Sequence, residues 1–433
     1  MKKVHIHQGS RTATRVLAGV GVGAIVLYGA RFLLDFFGPT IPYAMKEDAG
    51  FAVESDEFLQ FLSVVTDAAV RGSRIERLKN GAEFYPAELS AIRAAKHSIN
   101  LEFYEFLEGR VSSEWLEALT ERARAGVEVR VMVDAIGSFA TRDAYFDGLR
   151  AAGGHMRWYH PIRWNTWQRI NNRSHRKVLV VDGTVGFIGG AGVADHWMYP
   201  SPKGPAWRDS VFRVEGDGVC GLISTFSENW LEASGEILAG SAQFEFHTER
   251  GGAKGFVVLG TPHGGSTQSR ILFQALIKSA KKTIRITTPY FLPDRSARAA
   301  LVEAVVKRGV QVQILTAGPK IDHPMIRRMT HNSVHHLLRA GAEMYEYQPS
   351  MIHAKTLLVD DVWAVVGSTN FDHRSFALND EVNLAIRDSD LAATMRDDFA
   401  QDLKQSKRLT HAMLERRLWL PEKILDRVVE RES

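Results

Sequence analysis

The sequence predicts a duplicated α/β protein: two related halves, each a helix-covered sheet, behind an N-terminal apolar helix. Three observations predict it. Helix-like and strand-like segments alternate through the body of the chain, and the strand-like ones are continuous apolar runs, as in sheets buried on both faces. The pattern of the first part returns in the second. A short cluster, His-x-Lys followed five residues later by Asp, occurs once in each part: His175, Lys177 and Asp182, then His353, Lys355 and Asp360.

The first segment, 1–50, opens with the basic run "MKKVHIHQGSRTATR". An apolar stretch at 16–37 follows, interrupted only by Arg31 and Asp35. Its uninterrupted part, 16–30, falls short of the roughly 20 residues that cross a bilayer. With Arg31 snorkelling the whole stretch spans, so a membrane anchor is favoured over a cleaved signal peptide, for which no convincing small-x-small site follows. Lys2, Lys3, Arg11 and Arg15 precede the stretch, and the acidic Glu47, Asp48, Glu54, Asp56 and Glu57 lie beyond it. If the segment crosses, the N-terminus is cytoplasmic and the body lies on the far side of the membrane; a surface-lying segment leaves the body cytoplasmic.

The two halves are expected at 51–248 and 249–433. "AIRAAKHSINLEFYEF" (91–106) matches "ALIKSAKKTIRITTPYF" (275–291): an amphipathic helix, a basic turn, a strand. "RARAGVEVRVMVDAIG" (122–137) matches "AVVKRGVQVQILTAG" (304–318), where a glycine sits at the helix C-terminus before a buried strand. "LRAAGGHMRWYHP" (149–161) matches "LLRAGAEMYEYQP" (337–349). The largest insertion, 162–173, precedes His175, so Arg163, Trp164, Trp167, Arg169 and Arg173 are expected at the mouth of whatever site His175 serves. The chain's end, from "LKQSKRL" onward, alternates basic and apolar residues at helical spacing and reads as an amphipathic helix.

With 433 residues, 45% of them hydrophobic, the chain can bury ample cores, and a net charge of +4 favours anionic partners only weakly. A lone cysteine, Cys220, excludes an intrachain disulfide and reads as a buried small hydrophobe in "GVCGLISTF". His331 and His335 lie four apart on a predicted helix, but with no third ligand they read as packed or surface histidines, and no metal is expected.

On a strand, His175 and Lys177 point to one face, while Asp182, seven residues from His175, points to the other. "VVDGTVGFIGG" reads as strand, Asp-Gly turn, strand, which puts Asp182 at a hairpin tip; His353, Lys355 and Asp360 repeat the parity. A neutral imidazole beside a cation suits attack on phosphorus, the lysine neutralising a non-bridging oxygen. One such cluster supplies half of a phosphoryl-transfer site. Two, facing each other across a pseudo-twofold axis, supply a nucleophile and an acid with no cofactor.

The two segments resemble the paired motifs of the phospholipase D superfamily, and "TPYFLPD" (288–294), "AGAEMYEYQPSMIHAK" (340–355), "VGSTNFDHRSFALNDEVNL" (366–384) and "WRDSVFRVEG" (207–216) are similar to its bacterial cardiolipin synthases. The resemblance implies a duplicated α/β/α sandwich with the active site between pseudo-twofold-related halves. It implies a phosphohistidine on His175, a proton donor at His353, phosphate held by Lys177 and Lys355, and Asp182 and Asp360 completing the motif. It further implies that Ser368 and Asn370 line the phosphate pocket, and that Glu381, with Asp209 as its first-half counterpart, orients a motif histidine. Where the family often has Gly-Gly-x-Asn this chain has "GGAG", so Gly192 stands in the asparagine position. The expected reaction exchanges phosphatidyl groups between two phosphatidylglycerols, giving cardiolipin and glycerol. The expected partners are this anionic phospholipid and the membrane rather than nucleic acid. A hydrolysing phospholipase D, a superfamily nuclease and a non-catalytic lipid-binding protein remain as alternatives.

Overall fold

The computed structural model describes residues 42–415 apart from 163–168, 170, 203, 242, 245–251 and 263–266, together with Gly23 and Leu27. The chain divides into two units, 1–41 and 42–433, and the second carries the architecture described below. The apolar stretch 16–37, but for Gly23 and Leu27, and the tail beyond 415 lie outside the described residues, as do Arg163, Trp164 and Trp167. Among the described residues no helix is long and apolar enough to cross a membrane.

The first half contributes β1 (Arg71–Lys79), β2 (Ser98–Phe103), β3 (Glu128–Asp134), β4 (His155–Tyr159), β5 (Lys177–Val181), β6 (Val185–Gly189) and β7 (Ser210–Gly216). The second contributes β8 (Ala253–Gly260), β9 (Thr283–Thr287), β10 (Phe291–Leu292), β11 (Gln311–Ala317), β12 (Glu343–Tyr347), β13 (Thr356–Val359), β14 (Trp363–Gly367), β15 (Phe371–Asp372), β16 (Glu381–Arg387) and β17 (Ser406–Leu409). Apart from the small β10–β15 pair, all join one sheet. Counted outward from the β1–β8 seam, the first half runs β1-β7-β6-β5-β2-β3-β4 and the second β8-β16-β14-β13-β9-β11-β12, with β17 added at its edge. The identical order is the duplication made visible.

The seam is short: only Arg71, Gly72 and Ser73 of β1 pair with Gly255, Lys254 and Ala253. A shared core does more to join the halves. Val178, Val180, Ile188, Phe212 and Val214 of one meet Leu358, Ala364, Val366, Val382 and Leu384 of the other, with apolar residues of the helices Gly218–Ser234 and Ser389–Lys404. The alternate residues Leu179, Val181 and Phe187 face a separate first-half core, as the two-residue strand period requires. The helix Arg110–Arg124 covers that core with Val111, Trp115, Ala118 and Leu119, one apolar stripe at helical spacing.

Three sequence expectations shift. The helix Asp56–Val65, in the segment assigned to the first half, packs Phe58, Leu59 and Leu62 into the second half's core, where Trp363 also donates its ring N–H to the Val53 carbonyl at 2.6 Å. The chain end does not read wholly as helix, because Ser406–Leu409 pairs antiparallel with β12 and satisfies that strand's open edge. Cys220 is half-buried rather than buried, on the helix Gly218–Ser234.

The two motif hairpins are alike. Asp182 and Gly183 both have positive φ, 52° and 66°, as do Asp360 and Asp361, 55° and 56°. Such pairs match the right-handed twist of the flanking strands. The Asp182 carboxylate accepts the N–H groups of Lys96, His97 and Ser98 at 2.9, 2.7 and 2.9 Å. Asp360 accepts those of Lys281, Lys282 and Thr283 at 2.8, 2.7 and 2.8 Å. Each aspartate thus ties its hairpin to the start of the neighbouring strand, at the strand end remote from its histidine, the scaffold place that the strand parity predicts for Asp182 and Asp360. Asp182→Ala and Asp360→Ala should each lower stability by about 1–3 kcal/mol, read as a shift in the denaturant midpoint.

Candidate active site

The histidines sit just before β5 and β13, where the chain crosses to the other half. The N–H of His175 donates to the Asp380 carbonyl at 2.9 Å, and Asp380 N–H returns a bond of 2.9 Å to Arg173. The second half repeats the stitch: His353 N–H to the Arg208 carbonyl at 2.7 Å, Arg208 N–H to the Met351 carbonyl at 2.8 Å. In both cases the residue after the stitched partner is acidic. Glu381 therefore meets His175, its two carboxylate oxygens each 3.0 Å from Nδ1, and Asp209 meets His353, with Oδ2 3.0 Å from Nδ1.

A carboxylate on Nδ1 fixes the tautomer and leaves Nε2 as the reactive nitrogen. Ser368 donates its hydroxyl to Glu381, and Trp197 donates its ring N–H to the same Asp209 oxygen that His353 uses, at 3.0 Å. In the first half Gly190 occupies the place of Ser368. A Cβ there would lie 2.6 Å from Asp209 Oδ1 and 2.7 Å from the His353 carbonyl, so only glycine lets the halves approach this closely.

Lys177 and Lys355 both turn their ammonium groups back toward their own histidines, bonding the carbonyls of His175 and His353 at 2.6 and 2.7 Å. Lys355 Nζ also lies 2.9 Å from both ring nitrogens of His353. Burial pushes Lys177 well below its ordinary value, and the charge of Lys355 adds to the effect. Burial likewise brings Lys355 down to about 8, opposed by Asp209 and Glu381. Each lysine feels the carboxylates of both half-sites, so the two clusters share one electrostatic environment.

The imidazoles are kept neutral. Burial holds His175 well below its ordinary value, with Lys177 and Lys355 acting in the same direction. Burial and Lys355 hold His353 down at about 3 against the pull of Asp209. The carboxylates diverge. Burial raises Glu381 to about 7, whereas Asp209, although equally buried, stays below the usual carboxylate range because His353 and Lys355 stabilise its charge. His353 is thus the ring beside the more firmly ionised partner.

Asn370 is 5% exposed, and its side-chain oxygen has no hydrogen-bond partner among the described residues. Its first-half counterpart in sequence, Gly192, has no side chain. Arg173, expected at the mouth, lies instead beneath the site: 1% exposed, it pairs with the fully buried Asp134 at 2.9 Å and donates to the Tyr159 and His160 carbonyls. Asp134 also accepts the N–H of Ser174 at 3.1 Å, fixing the residue before the nucleophile candidate. Arg169 is exposed and pairs with Glu232. His331 bonds Glu346 at 2.7 Å as a packed histidine.

Sequence reasoning missed the aromatic walls. The Tyr104 ring stands 5.1 Å from that of His175, and Trp197 and Trp207 stand 5.5 and 5.6 Å from that of His353. Tyr104 follows the end of β2, equivalent to the end of β9, where the family-like "TPYF" lies. That correspondence was the available signal. Trp197 lies close after the motif strands in sequence, but nothing local says that it points at the other half's histidine.

Glu381→Gln and Asp209→Asn should each reduce kcat by about 10²–10⁴, with KM little changed, because the imidazole loses its tautomer and orientation rather than its contact with substrate. Steady-state kinetics at fixed detergent checks this. Lys355 loses its proton as pH rises through about 8, so kcat/KM should fall about tenfold per unit above that pH. Lys355→Arg should shift this alkaline limb, leaving only the part that Lys177 contributes, even if its maximum is lower.

The comparisons agree with the geometry. A family model described as cardiolipin synthase, PLD-like domain, matches residues 89–197 and 273–403, one stretch in each half. The chain is 34% identical to the major cardiolipin synthase ClsA of Bacillus subtilis, over 84% of this chain and 76% of that one. It is 33% identical to cardiolipin synthase 1 of Staphylococcus epidermidis, over 84% and 75%. Among solved structures, phosphatidylserine synthase of Haemophilus influenzae shares the fold at a TM-score of 0.66, with 16% identity over 87% of this chain and 98% of that one. The duplicated chain, with one matched stretch in each half, belongs to the cardiolipin synthase family of phospholipase D-like proteins.

Proposed function

We propose that this protein is a cardiolipin synthase that joins two phosphatidylglycerols by way of a phosphatidyl-histidine. One observation carries the reading: each of two neutral imidazoles is backed by a carboxylate from the opposite half, beside a pair of buried lysines. That arrangement suits one phosphorus with an imidazole on either side. The bound phosphodiester anion favours the imidazolium, so His353 takes up a proton from solvent on Nε2 as substrate binds. His175 Nε2 then attacks phosphorus; the bond to the glycerol oxygen breaks, and that oxygen takes the proton from His353 Nε2. A terminal hydroxyl of the second phosphatidylglycerol then gives its proton to His353 and attacks phosphorus, and the bond to His175 breaks. The ionised Asp209 supports the assignment of His353, because an imidazolium is best stabilised beside a carboxylate. Lys177 and Lys355 offset charge on the non-bridging oxygens, and Ser368 and Asn370 complete the pocket.

Ester exchange of this kind is nearly isoenergetic and needs no nucleotide, and the lysines do the work that a metal performs in other phosphoryl transfers. The N-terminal stretch 16–37, with basic residues before it and acidic ones after it, supports attachment to a bacterial inner membrane, where both substrates reside.

Purified protein in micelles of labelled phosphatidylglycerol should yield cardiolipin and glycerol in equal amounts, unaffected by chelators. His175→Ala and His353→Ala should each reduce turnover by at least about 10³. Phosphatidic acid as the main product would make the protein a hydrolase, and comparable cleavage of DNA would overturn the lipid assignment.

A further inference from the structure

A phosphate held by two lysines does not need a carboxyl group beside it, yet the site has one that the transfer scheme leaves unused. Glu105 follows Tyr104 past the end of β2, and the charges of Lys177 and Lys355, one from each half-site, both act on it. Its side chain is 22% exposed, and one oxygen lies 3.5 Å from His196 Nε2, a nitrogen with no hydrogen-bond partner among the described residues. The His196 ring packs on Trp197 and Trp207 at 4.1 and 3.9 Å between centroids, and both tryptophans border His353. Glu105 therefore lies between the two half-sites: Tyr104 before it walls His175, and His196 beside it packs on the tryptophans that border His353.

The same residue accounts for Gly192. A Cβ built on Gly192 would lie 2.6 Å from the Glu105 carbonyl and 3.0 Å from Glu105 Cβ. The space beside position 192 is taken by the backbone and Cβ of Glu105 together with the Trp197 ring, 3.2 Å away. The equivalent of Glu105 in the second half is Tyr290, whose hydroxyl donates to Asp322 at 2.6 Å, and Asp322 in turn acts on the charge of Glu105.

A carboxyl repels the phosphate that the lysines attract, so its partner is the part of the substrate that is not phosphate. The diacylglycerol part offers no hydrogen-bond donor, whereas the alcohol carries hydroxyl groups that donate hydrogen bonds, which a carboxylate accepts. We propose that Glu105 is the alcohol-recognising residue of the cleft, accepting hydrogen bonds from the glycerol headgroup as it leaves and again as the second one attacks. This rests on the reading of the protein as a phosphatidyltransferase. Burial brings the Glu105 carboxyl up to about 7 while Lys177 and Lys355 oppose the rise, so it retains an accepting oxygen throughout the neutral range. A site that bonds hydroxyls discriminates against an alcohol that lacks them, because its polar group is then left without a partner.

The test is a competition between labelled glycerol and labelled 1-propanol for the phosphatidyl group of phosphatidylglycerol in micelles, with cardiolipin measured in parallel. Wild type should favour glycerol. Glu105→Ala should lower the glycerol-to-propanol ratio by about tenfold, and Glu105→Gln, which keeps one accepting oxygen, by a smaller factor of the same sign. If Glu105→Ala does not fold, the isosteric Glu105→Gln decides alone. A wild type that makes cardiolipin, with an unchanged ratio in the variants, overturns this inference and leaves the transferase reading standing. A wild type that transfers to neither alcohol and makes no cardiolipin overturns both.

Discussion

An imidazole buried in a phosphate site is useful only while something holds its far nitrogen, and here that support crosses from one half of the chain to the other. Glu381 serves His175 and Asp209 serves His353, each delivered by the strand that the opposite half uses to leave the site. The backbone stitches at Asp380 and Arg208 set the register, so each carboxylate arrives one residue after a bridge. Neither half holds a complete histidine–carboxylate pair alone. Burying such pairs costs desolvation, which their mutual bonds offset only when the geometry is held tightly. The core shared by the two sets of strands supplies that rigidity, and Gly190 allows the contact distance.

On this symmetric frame the two half-sites have diverged. The segment before His175 is anchored by the buried Arg173–Asp134 pair, whereas the equivalent positions before His353 are Met351 and Ala317, both buried and apolar. Tyr104 walls one imidazole; two tryptophans wall the other. One carboxylate is raised toward neutrality by burial and the other is held ionised. A pair of identical sites has no reason to divide attack from protonation. Unequal surroundings provide one, and the nucleophile proposed here, His175, is on the side anchored by the buried ion pair.

Much of this was legible in the residues. The alternation of apolar strands and capped helices, the repeat and the paired motifs together imply the duplicated sheet, because each is a local pattern with a local cause. The parity of His175, Lys177 and Asp182 likewise separates the reactive face from the hairpin tip, where Asp182 indeed holds three backbone N–H groups. What could not be read was which half serves which. Nothing near Asp209 in sequence says that its partner lies 144 positions on. Arg173 misled for a related reason: an arginine in a polar insertion looks solvated until Asp134, on a distant strand, is seen beneath it. The helix Asp56–Val65 joined the wrong half in expectation because its amphipathic stripe says that it packs, not on what.

The claim on which everything else depends is that one phosphorus sits between the two rings and bonds to the first of them. Turnover on phosphorus-labelled phosphatidylglycerol, quenched rapidly in base, which preserves phosphohistidine, and followed by peptide mapping tests it most directly. The account predicts label on His175 alone, lost when unlabelled acceptor is added before the quench. Label divided equally between His175 and His353, or on neither during active turnover, would contradict it.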